Sequence, residues 1–154
     1  MSAGLLNVGD EAVDHLDQGL YCAESVVMAV ARREGIDSPL LPAIATGFCS
    51  GLARTAGPCG AVTGAVMALG LALGRSTGEE SVDPAYRAVQ DLLRRFEKEF
   101  GSLNCASLLD CHLGTPEGQR AFKTGQKGRQ CAKYTARAAQ LAEDILHAVR
   151  NEGD

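Results

Sequence analysis

The sequence lacks tryptophan entirely, and the other aromatic residues bring the aromatic share to only 5%. So few aromatic side chains leave little surface on which bases or sugars could stack. A basic excess is also absent, because 15 Lys and Arg face 19 Asp and Glu, which gives a net charge of -4. Proteins that bind nucleic acid have the opposite balance. We therefore predict that nucleic acid is not a partner.

The sequence also lacks an apolar run long enough to form a helix that crosses a membrane. The longest uncharged stretch lies between Arg54 and Arg75, and Gly57 and Pro58 interrupt it. Its apolar part, residues 61–73, has thirteen residues, whereas a helix needs about 20 to cross a bilayer. The start of the chain is acidic and lacks the basic residues and apolar run of a signal peptide. We expect no membrane span and a cytoplasmic location.

Helical periodicity dominates the sequence, and the alternation typical of strands is almost absent. A chain of 154 residues fits one domain. The fold class predicted is therefore all-α: a single compact multi-helix domain, residues 1–154, around a buried Gly/Ala-rich central helix. The predicted elements are a short helix ending near Gly19, a helix over 22–34, a broken helix within 37–54, the central helix at about 61–73, a helix over 83–100, turns within 102–113, a short helix from Thr115, and a long helix from Cys131 to about Val149.

Small residues recur at every fourth position of the central helix, at Gly60, Gly64 and Ala68. A strip without steric bulk allows another backbone to approach closely. We predict that a neighbouring helix packs directly against this strip. The alternative is a helix of weak propensity with no special packing there.

The chain contains six cysteines, and a domain of this size needs none of them merely to fold. In a reducing compartment, cysteines more often bind metals or carry out redox chemistry than cross-link a fold. No two form a C-x-x-C pair, which counts against zinc ribbons, thioredoxin-type motifs and attached c-type haem. Any joint site must therefore be assembled by the fold. The six are Cys22, Cys49, Cys59, Cys105, Cys111 and Cys131.

Four of the cysteines stand at or just before the start of a predicted helix. They are Cys22, Cys59, Cys105 and Cys131. A helix N-terminus has unpaired N–H groups and a partial positive charge, which favour a thiolate and lower the pKa of a cysteine. We therefore predict that these four are redox-active thiols or metal ligands. Further candidate ligands are Cys49, Cys111 and His112.

Basic residues are concentrated around the last cysteine. Residues 118–142 contain six Lys and Arg and no acidic residue, which gives this segment a charge of +6. Such a segment is either a solvated surface or an environment that stabilises a thiolate, an anionic cluster or an anionic ligand. We take Arg129, Lys133, Gly60 and Gly64 as candidate cofactor-binding residues.

The order of the cysteine segments carries a family resemblance. Residues 59–64 (CGAVTG) form a CGAxxG motif, preceded by 21–26 (YCAESV) and 47–51 (GFCSG) and followed by 100–105 (FGSLNC) and Cys131. From about residue 19 to 146, the chain resembles the prokaryotic redox-active proteins named for their cysteine pattern, C_GCAxxG_C_C. The resemblance implies that Cys22, Cys59, Cys105 and Cys131 are the four signature cysteines. The resemblance extends to the split-Soret cytochromes c, in which a related domain accompanies an iron–sulfur centre.

Three functions follow as hypotheses. The first is an oxidoreductase or electron carrier whose four signature cysteines hold an iron–sulfur cluster, most simply [2Fe-2S]. The second is a thiol–disulfide protein, in which one cysteine attacks and another resolves. The third is a non-catalytic carrier of a metal, such as zinc, or of a small anion. The first two imply a redox partner protein, and the sequence leaves a homo-oligomer open.

Overall fold

The computed structural model describes residues 6–153, and this part of the chain folds into eight α-helices without a strand. The all-α prediction is therefore confirmed. The helices are α1 (Val8–Asp17), α2 (Cys22–Arg33), α3 (Cys49–Arg54), α4 (Gly60–Leu73), α5 (Asp83–Phe100), α6 (Cys105–Leu109), α7 (Pro116–Thr124) and α8 (Lys127–Glu152). A 3-10 helix, Ala43–Phe48, leads into α3.

Helix α4 lies at the centre of the core, where α2, α5 and α8 pack against it. Its sequence is apolar on nearly every side, as expected of a helix that is buried between several others. Leu69 of α4, Leu92 of α5 and Leu141 of α8 are all almost fully buried. The prediction of a buried central helix over residues 61–73 is confirmed.

The small-residue strip of α4 receives the first turn of α2. A β-carbon added at Gly64 would lie 2.6 Å from the carbonyl oxygen of Ala23 and 2.9 Å from its Cα. One added at Gly60 would lie 2.2 Å from the sulfur of Cys22. The close approach predicted from the glycine spacing is confirmed, and it brings the start of α2 against the start of α4.

Two segments differ from their sequence-based predictions. The last helix begins at Lys127, so Cys131 lies in its second turn and the prediction of a helix start there is wrong. Gln, Lys and Arg precede this cysteine and favour helix, and the single Gly128 is too weak a breaker to delay the start. The segment predicted as a broken helix contains α3, whose backbone is left-handed from Ser50 to Arg54.

Among the helices formed by residues 6–153, none has both the length and the apolar character that crossing a membrane requires.

Candidate functional site

Four cysteines line one cavity of about 510 Å³. They are Cys22 of α2, Cys59 before α4, Cys105 of α6 and Cys131 of α8. The first three are buried and the fourth is half-buried. Neither Cys49 nor Cys111 belongs to the cavity lining. The fold therefore brings together the four cysteines that helix position and family resemblance both indicated.

A short backbone pairing places Cys59 beside Cys105. The segments that precede α4 and α6 meet as an antiparallel bridge. The N–H of Cys59 donates to the carbonyl of Leu103 at 2.7 Å. The N–H of Cys105 donates in return to the carbonyl of Gly57 at 3.0 Å. Two cysteines that are distant in the sequence are thus held at adjacent helix starts.

Asn104 fastens this bridge through its side chain. Its Oδ1 accepts from the N–H groups of Ala106 at 3.0 Å and Ser107 at 3.3 Å, which caps α6. Its Nδ2 donates to the carbonyl of Ala56 at 2.7 Å, on the other segment. One amide therefore satisfies the start of α6 and ties it to the loop before α4.

Replacing Asn104 with alanine should lower the free energy of unfolding by about 1–3 kcal/mol, because a cap and a half-buried cross-segment hydrogen bond are lost together. The matched control is Asn7→Ala at the exposed cap of α1, where Asn7 accepts from the Asp10 N–H at 2.9 Å. That change should cost about 1 kcal/mol or less. Urea denaturation followed by helical circular dichroism gives both values. An Asn104→Ala loss no larger than that of Asn7→Ala would contradict this assignment.

The left-handed turn of α3 forms the wall beside Cys22 and Cys105. Ser50 lines the cavity together with Cys22, and its N–H group offsets a small part of the rise in the Cys22 pKa. Gly51, at φ +67°, approaches Cys105 so closely that an added β-carbon would lie 2.7 Å from its Cβ. Left-handed backbone costs about 1–2 kcal/mol per non-glycine residue, and such conformations concentrate at functional sites. Helical periodicity gives no signal for this turn.

Cys49 lies behind Cys22 and contacts a buried carboxylate. Its thiol donates to Oε1 of Glu24 at 3.7 Å. The same carboxylate accepts from the Tyr21 N–H at 3.0 Å and from the Thr46 hydroxyl at 2.8 Å. Sequence reasoning missed Glu24, although its place three residues after Tyr21 at the start of α2 is typical of a capping residue.

The cavity lining is cationic. None of the described residues that line the cavity is Asp or Glu, whereas Arg54 and Lys123 both line it. Tyr134 lines it as well and donates its hydroxyl to the carbonyl of Leu108 at 3.0 Å, which joins α8 to α6. Sequence reasoning missed Arg54 and Tyr134. The signal for Tyr134 was its place one helical turn after Cys131.

The predicted cofactor-binding residues take different positions. Gly60 lines the cavity, while Gly64 faces the backbone of α2. Arg129 and Lys133 are outside the cavity lining, and Nζ of Lys133 lies 5.5 Å from the centroid of the Phe100 ring. Their role in binding a cofactor stays a prediction.

Other charges of the basic segment have acidic partners. Arg137 pairs with Glu99 at 2.8 Å, and Arg120 pairs with Glu117 at 3.7 Å. The charge of +6 on residues 118–142 is therefore partly neutralised by ion pairs on the surface. His112, a candidate ligand, uses its Nδ1 to accept from the Gly114 N–H at 2.9 Å.

Burial raises the pKa of the cysteines at the helix starts, opposite to the sequence-based prediction. For Cys59, burial exceeds the lowering effect of the Val62 and Ala61 N–H groups on the pKa. Burial and nearby thiols raise the pKa of Cys105 to about 11. A hydrogen bond with Cys131, aided by burial, raises the pKa of Cys22 to about 12. Cys59 does lie at a helix N-terminus, but burial raises its pKa by more than the N-terminus lowers it.

Alkaline pH should destabilise the fold through these thiols. Cys105 titrates near 9.0 in an open chain and at about 11 when folded. Between these values the unfolded chain loses a proton that the folded chain keeps, so the free energy of unfolding falls as the pH rises. This slope should be smallest in Cys105→Ser, and Cys111→Ser, which removes one of the thiols that raise the Cys105 pKa, should lie between it and the wild type. Denaturation at several pH values measures it, and identical slopes in all three proteins would refute the assignment.

The sulfurs share the cavity without forming a site for a single ion. Within residues 6–153, no three Cys, His, Asp or Glu side chains lie close enough together to hold a metal ion. All six cysteines are free thiols. The usual metal-binding side chains are nonetheless of one kind, because among Cys, His, Asp and Glu only cysteines line the cavity in the described residues.

Fold and site together define a class: an all-α protein that gathers four free thiols around one cationic cavity. Residues 20–145 match the family model C_GCAxxG_C_C, described as a putative redox-active protein. The match spans most of the chain, so the chain belongs to this family, and the resemblance stated from the cysteine segments is confirmed. No curated protein and no solved structure matches the chain.

Proposed function

We propose that the chain is an electron-transfer protein in which four cysteines hold an iron–sulfur cluster. The observation that carries this proposal is that the four signature sulfurs, and neither of the other two, line one cavity. Four thiolates are the usual ligand set of [2Fe-2S] and [4Fe-4S] clusters. Such a cluster, when bound, supplies a reversible one-electron couple. The ligands would be Cys22, Cys59, Cys105 and Cys131.

The shape and charge of the cavity support a group of several atoms with negative charge. A volume of about 510 Å³ exceeds what one ion requires. Gly60 and Gly51 bring backbone against Cys22 and Cys105 where a β-carbon would collide. Arg54 and Lys123 line the cavity and offset the charge of a cluster held by four thiolates. These features favour a cluster over a single zinc ion.

The raised cysteine pKa values discriminate between a cluster and thiol–disulfide catalysis. A catalytic thiol attacks as the thiolate, and Cys22 with a pKa of about 12 is almost fully protonated at neutral pH. A bound metal, in contrast, displaces the proton from a thiol that it coordinates. The buried thiols are therefore too slow as nucleophiles for catalytic turnover but are suitable metal ligands, and loading them should release protons.

Apolar side chains line the cavity next to the sulfurs and lower its polarity. Leu108, Leu109 and Phe122 line the cavity next to the cysteines. A dry surrounding and the charges near the sulfurs are the means by which a protein sets the potential of such a centre. Only Cys131 among the four is half-buried, so its side of the cavity is the natural route for electrons to a redox partner.

Anaerobic reconstitution of the full chain with iron and sulfide tests the proposal. We expect visible sulfur-to-iron absorption and about two irons and two sulfides per chain for the [2Fe-2S] form. The urea midpoint should rise on loading, because a group that binds only the folded state stabilises it. A colourless protein without iron after reconstitution would refute the proposal, and tight binding of zinc alone would favour a carrier.

A further inference from the structure

Cys49 is a buried thiol that the proposed cluster does not use. It is only 3% exposed and does not line the cavity. The Cys22 thiol is nevertheless near enough to raise the pKa of Cys49. Gly60 confirms their closeness independently, because a β-carbon added there would lie 2.2 Å from the Cys22 sulfur and 3.2 Å from Cys49 Cα. A proposed ligand and a non-ligand thiol are therefore neighbours.

We propose that Cys22 and Cys49 form a reversible disulfide in the chain without a cluster, which takes Cys22 out of the ligand set. Glu24 positions Cys49 for this role by accepting its thiol hydrogen bond at 3.7 Å. The disulfide would leave Cys59, Cys105 and Cys131 as free thiols. The inference extends the proposed function, but the disulfide itself requires no iron.

The reaction is a slow, single exchange and not a catalytic cycle, because little of the Cys22 thiol is ionised at neutral pH. It requires a small-molecule disulfide as the oxidant. Cys22, which faces the cavity, attacks one sulfur of the reagent and releases the first thiolate, which takes up the proton of Cys22. Cys49 then attacks the sulfur of Cys22, and the second released thiolate takes up the proton of Cys49. Two protein thiols are oxidised to one disulfide, and one reagent disulfide is reduced to two thiols.

The alternative partner for Cys22 is Cys131, which lines the same cavity and raises the pKa of the Cys22 thiol. The tryptic peptides separate the two outcomes. Cys22 lies on a peptide ending at Arg32 or Arg33, Cys49 on one ending at Arg54, Cys59 on one ending at Arg75, and Cys131 on one ending at Lys133. Disulfides of Cys22 with Cys49, Cys59 and Cys131 therefore differ in mass, whereas Cys105 and Cys111 share the peptide of residues 99–120 and are distinguished by fragmentation.

The test uses the metal-free full chain treated with excess oxidised glutathione, followed by alkylation, trypsin and mass spectrometry without reduction. We expect the peptides of Cys22 and Cys49 to be joined, with two of the six thiols consumed by this internal cross-link. A peptide pair that joins Cys22 to Cys131, or a chain with no internal disulfide, would overturn the inference. Neither result would bear on cluster binding, which reconstitution measures separately.

Two variants sharpen the result. Cys49→Ser should stop at the mixed disulfide, so that one glutathione stays on Cys22. The control Cys111→Ser should form the same cross-link as the wild type. An internal disulfide in Cys49→Ser at the wild-type yield would contradict the role of Cys49. If Cys49→Ser does not fold by circular dichroism, the peptide maps of the wild type and Cys111→Ser decide the question.

Discussion

Gly64→Ala should lower the free energy of unfolding by about 3 kcal/mol, near the upper end of overpacking effects. The added β-carbon would lie 2.6 Å from the carbonyl oxygen and 2.9 Å from the Cα of Ala23. Both are backbone atoms of α2, so relief requires that a whole helix move away. Such a shift would also separate Cys22 from Cys59, so the variant should lose cluster binding along with stability.

The matched control for this change is Gly70→Ala in the same helix. A β-carbon at Gly70 has no neighbour within 4 Å. Alanine there should raise the free energy of unfolding by about 0.5–1 kcal/mol, since glycine inside a helix is the less favourable residue. If α2 packs on the glycine strip, urea denaturation should show a lower free energy of unfolding for Gly64→Ala and a higher one for Gly70→Ala than for the wild type. Equal changes in the two variants would show that α2 does not pack there.

The second large effect is expected when single cysteines are replaced by serine. Each signature cysteine, replaced in turn, should lower iron retention after reconstitution by at least roughly 10–100-fold, the loss known for residues that merely support a ligand. The four changes are Cys22→Ser, Cys59→Ser, Cys105→Ser and Cys131→Ser. Iron retention after gel filtration gives the comparison.

Cys111→Ser and Cys49→Ser are the controls in this series. Neither residue lines the cavity, so both variants should load iron as the wild type does. If a signature variant retained as much iron as the wild type while Cys111→Ser lost iron, the cluster would have to bind at a different site. A loss in Cys49→Ser alone would show that Cys49 supports Cys22 in the loaded protein too.

The sequence predicted the parts of the fold that follow from local patterns. Apolar residues at helical spacing predicted α2 and α5, and Gly101 at φ +85° ends α5 as a glycine at that position should. The four-residue spacing of Gly60 and Gly64 predicted a close helix contact because the steric requirement is visible in the residue types. The signature cysteines were identified by their positions relative to helix starts and by family pattern.

What the sequence did not predict depends on long-range burial. Whether a cysteine at a helix start ionises depends on how much water reaches it, and only the fold determines that for Cys59 and Cys105. The left-handed turn beyond Cys49 is held by hydrogen bonds within the loop, in which Gly51 accepts from the N–H groups of Thr55 at 3.2 Å and Gly57 at 2.8 Å. Four non-glycine residues in that conformation contradict local propensity.

The same long-range packing explains the arrangement of the site. Three sulfurs come from helix starts, and the fourth, that of Cys131, comes from the second turn of α8 and lines the same cavity. The bridge before α4 and α6 fixes Cys59 to Cys105, and the glycine strip fixes Cys22 to the start of α4. Removal of either connection should therefore disturb the site before it unfolds the whole helix bundle.

X-ray absorption at the iron edge of the reconstituted chain tests the central claim most directly, because it reports the atoms bound to iron. If the four signature cysteines hold an iron–sulfur cluster, the first shell of each iron contains sulfur alone, and a second iron appears as its neighbour. A first shell that includes nitrogen or oxygen, or iron without an iron neighbour, would contradict the account.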